Sequence, residues 1–253
     1  MIYDFHLRIG PVPEDPSVAA DRLLGEMDRH GITRGVACAG GLIDPVRLAR
    51  QIVFGGHLET DADNERVLAV SARSGGRLTP FYFANPHRQP RRYLDAAPSY
   101  RGLEISPAVH GVGLDDPRTV ALVEVAAQAG HPVYVVCLGR PGATVGDLVT
   151  LAGKFPEARF VLGHCGFIGI DFHAVATIAE TGNIFAETSG CYTSVARVAV
   201  QRLGADRVVF GSEYPAQDFG VELAKCRALA LTDDELHRVT WASAVRLLRE
   251  DAP

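Results

Sequence analysis

The chain has 253 residues, 47% of them hydrophobic, and a formal net charge of −5 at pH 7. This composition supports a large folded core, excludes a disordered chain and argues against a nucleic-acid-binding surface. No apolar run approaches the ~20 residues that span a bilayer. Five widely spaced cysteines without a CxxC pair indicate neither a disulfide framework nor a zinc ribbon. We therefore predict a cytoplasmic protein with neither a membrane nor a nucleic acid as partner.

Short apolar runs alternate along the chain with longer stretches of helical spacing. The runs are nearly continuous in hydrophobicity, which is typical of strands buried on both faces of a parallel sheet. The predicted strands are 2–7, 35–40, 78–84, 101–106, 132–137, 159–165, 183–189 and 207–213, and the predicted helices between them are 16–30, 60–75, 116–129, 144–153, 171–181, 193–203 and 219–230. A weaker helix is predicted after Pro86, and a final one in TDDELHRVTWASAVRLL, with Thr232 as its N-cap.

Eight strand–helix units in a chain of this length predict a (β/α)8 TIM barrel. We predict a single domain over residues 1–253 with an extra C-terminal helix. An open, doubly wound sheet is the alternative, but no GxGxxG follows the first strand, which argues against a dinucleotide site. The segments 10–16 and 40–60 follow the first two strands and are predicted to form loops over the barrel mouth.

Polar side chains gather where the predicted strands end, which is where barrel enzymes carry their chemistry. Asp4, His6 and Arg8 stand at alternate positions, so a period of two predicts them on one face of the first strand. The later strand ends carry Glu104 and Ser106, Cys137, His164 and Cys165, Glu187 with Thr188 and Ser189, and finally Glu213.

Several motifs follow one another in order: DFHLR from Asp4, GLEISP from Gly102, VLGHCG from Val161, ETSG from Glu187 and FGSEYP from Phe210. In these motifs the chain resembles the amidohydrolase superfamily, in the branch of small metal-dependent barrels that includes aminocarboxymuconate-semialdehyde decarboxylase. The resemblance covers nearly the whole chain. It implies a barrel fold and an enzyme that hydrolyses or decarboxylates a small molecule.

The resemblance also implies a set of metal ligands, which this sequence keeps only in part. Relatives bind a metal, usually zinc, through two histidines of strand 1, a histidine of strand 5 and an aspartate of strand 8, while a histidine of strand 6 assists the metal-bound water. The corresponding residues here are His6 and Arg8, Val136 or Cys137, Glu213, and His164. The implied cofactor is therefore either absent or one divalent metal, with zinc expected, and the candidate ligands are His6, Glu213 and His164.

Three functional hypotheses follow. In the first, a metal-independent hydrolase or decarboxylase acts on a small acidic or cyclic substrate and uses Arg8 in place of the metal charge. His164 transfers a proton, and Glu213 is the general base or orients the base. In the second, a metal-dependent hydrolase activates water with rearranged ligands, namely His6, His164 and Glu213, with Cys137 as a further candidate. In the third, the chain binds a ligand or partner without catalysis. A homodimer is compatible with all three, and the candidate substrate-binding residues are Arg8, Glu104, Ser106, Cys137 and Tyr214.

Overall fold

The computed structural model describes residues 1–167 and 169–250, so Ile168 and the last three residues of the predicted domain lie outside the described residues. The strands pair in parallel in two runs, β1-β2-β3 and β4-β5-β6-β7-β8-β9. Their bounds are β1 Tyr3–Ile9, β2 Arg34–Ala39, β3 Leu78–Pro80, β4 Tyr82–Phe83, β5 Leu103–Ile105, β6 Val133–Val135, β7 Phe160–Leu162, β8 Ile184–Glu187 and β9 Val208–Val209.

Hydrogen bonds at two seams join the two runs of strands into a closed barrel. β3 and β4 are the two halves of one predicted strand, broken at Phe81, whose N–H donates to the carbonyl of Ala37. At the other seam Phe5 N–H donates to Phe210 O at 2.8 Å, and a parallel bridge joins Leu7 to Tyr214. The predicted (β/α)8 barrel is confirmed, because an open sheet would leave β1 and β9 unpaired.

Helices follow the strands and surround the barrel. Asp15, Asp44 and Asp116 each precede a proline and accept hydrogen bonds from backbone N–H groups of the helix that follows, which explains three of the helix starts. The helices are α1 Pro16–His30, α2 Pro45–Phe54, α3 Asn64–Ala72, α4 Pro90–Ala96, α5 Pro107–His110, α6 Pro117–Gln128, α7 Val145–Lys154, α8 Phe172–Ile178, α9 Thr193–Leu203, α10 Phe219–Arg227, α11 Asp233–His237 and α12 Ser243–Leu248. No helix in the described part of the chain has the length and apolar character needed to cross a membrane.

The prediction of a loop over 40–60 is wrong in its middle, because α2 occupies that segment. The helix starts at the Asp44-Pro45 pair, and it buries only Gln51. Val46 and Phe54 are 78% and 80% exposed, whereas Leu48 and Ile52, four residues apart, are half-buried and pack against buried residues. The segment is therefore an amphipathic helix at the edge of the barrel, with one apolar side turned inward.

The predicted C-terminal helix is confirmed, although its middle is not α-helical. Thr232 caps it in a capping box with Glu235, as the sequence indicates. Arg238–Ala242 form a π-helical turn between α11 and α12. This turn places Trp241 against Tyr3, with ring centroids 5.6 Å apart, and so covers the end of the barrel where β1 begins.

The alternation predicted for the first strand is interrupted. The pairing of β1 with β2 shifts register between Asp4 and Leu7. Phe5 packs edge-on against Phe81, while the neighbouring His6 stacks on Tyr134 at a centroid distance of 4.4 Å. An extra residue in a strand redirects the side chains that follow it. His6 therefore points into the barrel next to Phe5, although the two were predicted on opposite faces of the strand.

Candidate active site

The carboxyl ends of the strands bring five of the predicted site residues together at the barrel mouth. His6, His164 and Glu213 each offer one ligand atom, and these atoms lie within 4.8 Å of one another. Arg8 Nη2 lies 3.9 Å from Glu213 Oε1, and His6 Nε2 lies 3.9 Å from Glu104 Oε2. These residues come from the ends of β1, β5, β7 and β9, so the barrel topology alone explains how distant motifs meet.

His6 is held as a neutral imidazole with its proton on Nδ1. Tyr134 Oη donates its proton to Glu187 Oε2 at 2.8 Å. Tyr134 Oη can therefore only accept from His6 Nδ1, which lies 3.1 Å away. Burial, with smaller effects from Arg8 and His164, lowers the pKa of His6 well below its usual value. The Nε2 lone pair is buried and has no hydrogen-bond partner among the described residues. His6 is therefore prepared to act as a ligand or a base.

His164 is oriented by the turn that follows β8. Its Nδ1 lies 3.2 Å from the carbonyl oxygen of Ser189 and 3.0 Å from Ser189 Oγ. A carbonyl only accepts, so Nδ1 carries a proton, and in the neutral ring the lone pair is then on Nε2. The side chain is 19% exposed, which leaves it accessible to a small molecule from the mouth.

Glu187 joins the two imidazole networks beneath the mouth and is fully buried. Its Oε2 accepts from Tyr134 Oη, from Ser189 Oγ at 2.9 Å and from the backbone N–H of His164 at 3.1 Å. Its Oε1 accepts from the backbone N–H of Ser189. A buried carboxylate with this many donors fixes the groups around it, and carboxylates of this kind commonly orient ligating histidines.

Arg8 is paired inside the barrel with Glu104. Its Nη1 lies 2.8 Å from both oxygens of Glu104, which is 1% exposed, and also donates to the carbonyl of Ala39. Cys38 adjoins the same carboxylate. Burial, and to a smaller extent the negative charge of Glu104, raises the pKa of the Cys38 thiol well above its usual value. Arg8 is thus hydrogen-bonded to Glu104, and it lies farther from Glu213, at 3.9 Å.

Two of the site residues have a strained backbone. His164 has φ 59° and Glu213 has φ 58°, in the left-handed region that side chains with a Cβ rarely adopt. Such conformations cost on the order of 1–3 kcal/mol each and concentrate at functional sites. Glu213 N–H donates to His6 O at 2.7 Å, which contributes to holding the strained residue against β1.

Asp4 fixes the start of the site although it does not reach the mouth cluster. Its Oδ1 accepts from the N–H of His6 and the N–H of Ser212, both at 3.0 Å, and so ties β1 to the segment after β9. Complete burial raises the pKa of Asp4 to about 7.

Three predicted substrate-binding residues are not part of the mouth cluster. Cys137 is buried in the core cluster that includes Val145 and Leu148 of α7, because a period of two from Tyr134 turns it outward. Tyr214 stacks on Phe219 with ring centroids 4.3 Å apart. Ser106 is buried and starts the short α5 without a side-chain capping bond.

Sequence reasoning missed Tyr134 and Cys38 as members of the site, and it assigned Ser189 only to a strand end. Tyr134 stands between Val133 and Val135 in a buried strand. A hydroxyl-bearing residue alternating with valines would have marked the inward face of this strand.

Gly211 allows β9 to approach Glu187, and its replacement provides a test of this network. A Cβ at Gly211 would lie 2.1 Å from Glu187 Oε1 and 2.8 Å from its Cδ. We expect Gly211→Ala to destabilise the protein by about 1–3 kcal/mol, because the buried carboxylate would have to move away from its hydrogen-bond donors. Urea unfolding measures this, with Gly182→Ala as control, since a Cβ there meets nothing within 4 Å. Equal stability of the two variants would contradict the packing described.

A family model described as Amidohydrolase matches residues 4–249. The chain belongs to this family. Similar solved structures include 5-carboxyvanillate decarboxylase from Sphingomonas paucimobilis, 15% identical over 99% of both chains with a TM-score of 0.71. Dihydroxybenzoic acid decarboxylase from Polaromonas sp. JS666, with bound manganese and the inhibitor 2-nitroresorcinol, is 17% identical over 98% of this chain and 97% of that chain, at a TM-score of 0.71.

An uncharacterized TIM-barrel protein from Bordetella bronchiseptica is also similar to this amidohydrolase-family chain, at 18% identity over 98% of both chains with a TM-score of 0.74. At these identities the likeness establishes the fold and not the reaction. A comparison with curated proteins found no match.

Proposed function

We propose that this member of the amidohydrolase family is a hydrolase or decarboxylase whose active site is the barrel mouth and whose substrate is a small acidic or cyclic molecule. The observation that carries the proposal is the convergence of His6, His164 and Glu213, with ligand atoms within 4.8 Å of one another. Similar folds include decarboxylases of small aromatic acids, one of them with bound manganese, which supports both the reaction class and a divalent metal.

In the arrangement that the donor set supports best, His6, His164 and Glu213 bind one divalent cation, zinc or manganese. Two imidazoles and a carboxylate can supply the three protein ligands that a catalytic metal requires, and Nε2 of His6 is buried without a hydrogen-bond partner among the described residues. The carboxylate groups of Glu187 and Glu213 favour a cation here, whereas Arg8, 3.9 Å from Glu213, opposes it. A bound metal supplies Lewis-acid polarisation of a carbonyl or carboxylate oxygen.

Arg8 binds the acidic group of the substrate in this proposal. Its Nη1 is engaged by Glu104 and Ala39, whereas its Nη2 faces Glu213 at 3.9 Å and makes no hydrogen bond to a described residue. The side chain is 15% exposed. A guanidinium with an available N–H can donate a charge-assisted hydrogen bond to a substrate carboxylate and orient it against the ring of His164.

A second arrangement, without a metal, is favoured by the same distance between Arg8 and Glu213. A permanent cation this close to the carboxylate opposes a divalent ion and could itself stabilise developing negative charge. In that case Glu213 acts as the base and His164 transfers the proton. The two arrangements use the same residues and differ in whether activity requires a metal.

Turnover with and without metal tests the proposal. Chelator-treated protein is screened against small aromatic carboxylic acids, lactones and amides, with zinc or manganese added or omitted, for CO2 release or hydrolysis. We expect activity only with metal, lost in His164→Asn and retained in His173→Asn, which changes an exposed histidine of α8. Activity without metal would favour the Arg8 arrangement. Binding of an acid without turnover in either state would favour a ligand-binding protein.

A further inference from the structure

The turn Thr188–Cys191, which we call the Ser189 turn, contacts both imidazoles of the mouth on one side. Ser189 offers its carbonyl oxygen and Oγ to His164 Nδ1, and the same Oγ lies 3.5 Å from His6 Nδ1. Because Ser189 Oγ donates to Glu187, it is available to the two histidines only as an acceptor. The position of this turn therefore determines which ring nitrogen of His164 carries the proton, and it supports the His6 tautomer that Tyr134 sets.

On its other side, the Ser189 turn is bound by two charged residues of α10. Lys225 Nζ donates to Thr188 O at 2.6 Å and to Cys191 O at 3.0 Å. Gly190 N–H donates to Glu222 Oε1 at 3.2 Å. Lys225 and Glu222 also form an ion pair with each other, and their side chains are 9% and 3% exposed.

This ion pair is not explained by stability alone. A buried ion pair loses its hydration, and well-packed hydrophobic residues of similar volume often give equal or greater stability. Burial raises the pKa of Glu222 despite the neighbouring Lys225, which shows the cost of keeping a carboxylate here. Glu222 and Lys225 together make three hydrogen bonds to the backbone of one turn, which hydrophobic residues could not make.

We propose that Glu222 and Lys225 are positioning residues for the mouth site. They hold the Ser189 turn so that Ser189 keeps the Nδ1 proton on His164, and supports the same tautomer of His6, with the Nε2 lone pairs free. The pair touches neither substrate nor metal and acts only through the turn. This inference rests on the proposed function in treating the two histidines as the reactive groups of the site.

The double variant Glu222→Gln with Lys225→Met tests this role, because it removes both charges together and leaves an acceptor for Gly190 N–H. Histidine-selective 15N NMR of metal-free protein reports the tautomer of His164 directly. We expect wild type to show the Nδ1–H form and the variant to shift toward Nε2–H. Zinc affinity, measured by competition with a chromophoric chelator, should fall about 10- to 100-fold, as for other partners that orient metal-binding histidines.

The matched control removes a different, partly buried ion pair, between Arg34 and Glu250 at the opposite end of the barrel. Arg34→Met with Glu250→Gln should change stability but neither the His164 tautomer nor the zinc affinity. If the α10 double variant does not fold, Glu222→Gln alone is measured, with a smaller shift expected in the same direction, since Lys225 keeps its two carbonyl contacts.

The outcomes separate the positioning role from the proposed function. An unchanged His164 tautomer and unchanged zinc affinity in a folded α10 variant would overturn the positioning role. A wild-type protein that binds no zinc, but whose His164 tautomer responds to the α10 substitutions, would support the positioning role and remove the metal-dependent function.

Discussion

Replacing Arg8 with methionine is expected to lower the free energy of unfolding by about 3–5 kcal/mol, the usual cost of leaving one member of a buried ion pair unpaired. Glu104 is 1% exposed and has Arg8 Nη1 2.8 Å from both of its oxygens. Without the guanidinium this carboxylate must stay charged without a partner or take up a proton, and either state costs free energy. Urea unfolding of metal-free protein gives the value without a contribution from metal binding.

Two further variants show whether the pairing is the cause. Arg8→Met combined with Glu104→Leu should recover most of the lost stability, since a hydrophobic replacement of both partners is often neutral. Arg91→Met removes an arginine from an exposed ion pair with Asp95 and should change stability by less than about 1 kcal/mol. An Arg8→Met variant as stable as Arg91→Met would show that Arg8 and Glu104 do not form the pair described.

Glu213→Gln is expected to lose metal affinity by more than the ~10- to 100-fold typical of partners that only orient a ligand, and to lose turnover with it. Glutamine preserves the size of the side chain but binds a divalent cation without the negative charge. Calorimetric titration of chelator-treated protein with zinc measures the affinity. Glu180→Gln, at an exposed position, is the matched control and should bind as wild type does. Equal affinity in Glu213→Gln would exclude Glu213 as a ligand.

The barrel could be predicted from the sequence because its determinants are local. Each buried strand is a short apolar run, and aspartate-proline pairs or Thr232 mark several helix starts. The helix α2 was missed because its segment follows a strand at the barrel mouth, where a loop was expected, although Leu48 and Ile52 recur at helical spacing and pack inward.

Only those site residues that lie at the ends of strands could be predicted from the sequence. His6, His164 and Glu213 end their strands in motifs and meet as expected. The network beneath them depends on which face of a strand a residue occupies: Tyr134 faces inward and Cys137, three residues later, faces outward. The pairing of Arg8 with Glu104 involves residues 96 positions apart, and the sequence did not show whether Glu104 or Glu213 would bind that guanidinium.

Two cationic side chains near the site, Lys225 and Arg8, have roles that follow from the groups they contact. Lys225 binds backbone carbonyls of the Ser189 turn, and Arg8 binds Glu104. Neither therefore cancels the charge of Glu213 by direct hydrogen bonding. The proposal of a bound cation at the mouth therefore rests on the convergence of His6, His164 and Glu213.

We propose that His6, His164 and Glu213 form a divalent metal site. The most direct test is elemental analysis of protein purified without chelator or nickel affinity, with metal per chain counted before and after dialysis against zinc or manganese. We predict close to one equivalent per chain that survives removal of free metal. Absence of bound metal after reconstitution, with the protein folded, would contradict the claim and leave Arg8 as the source of positive charge at the mouth.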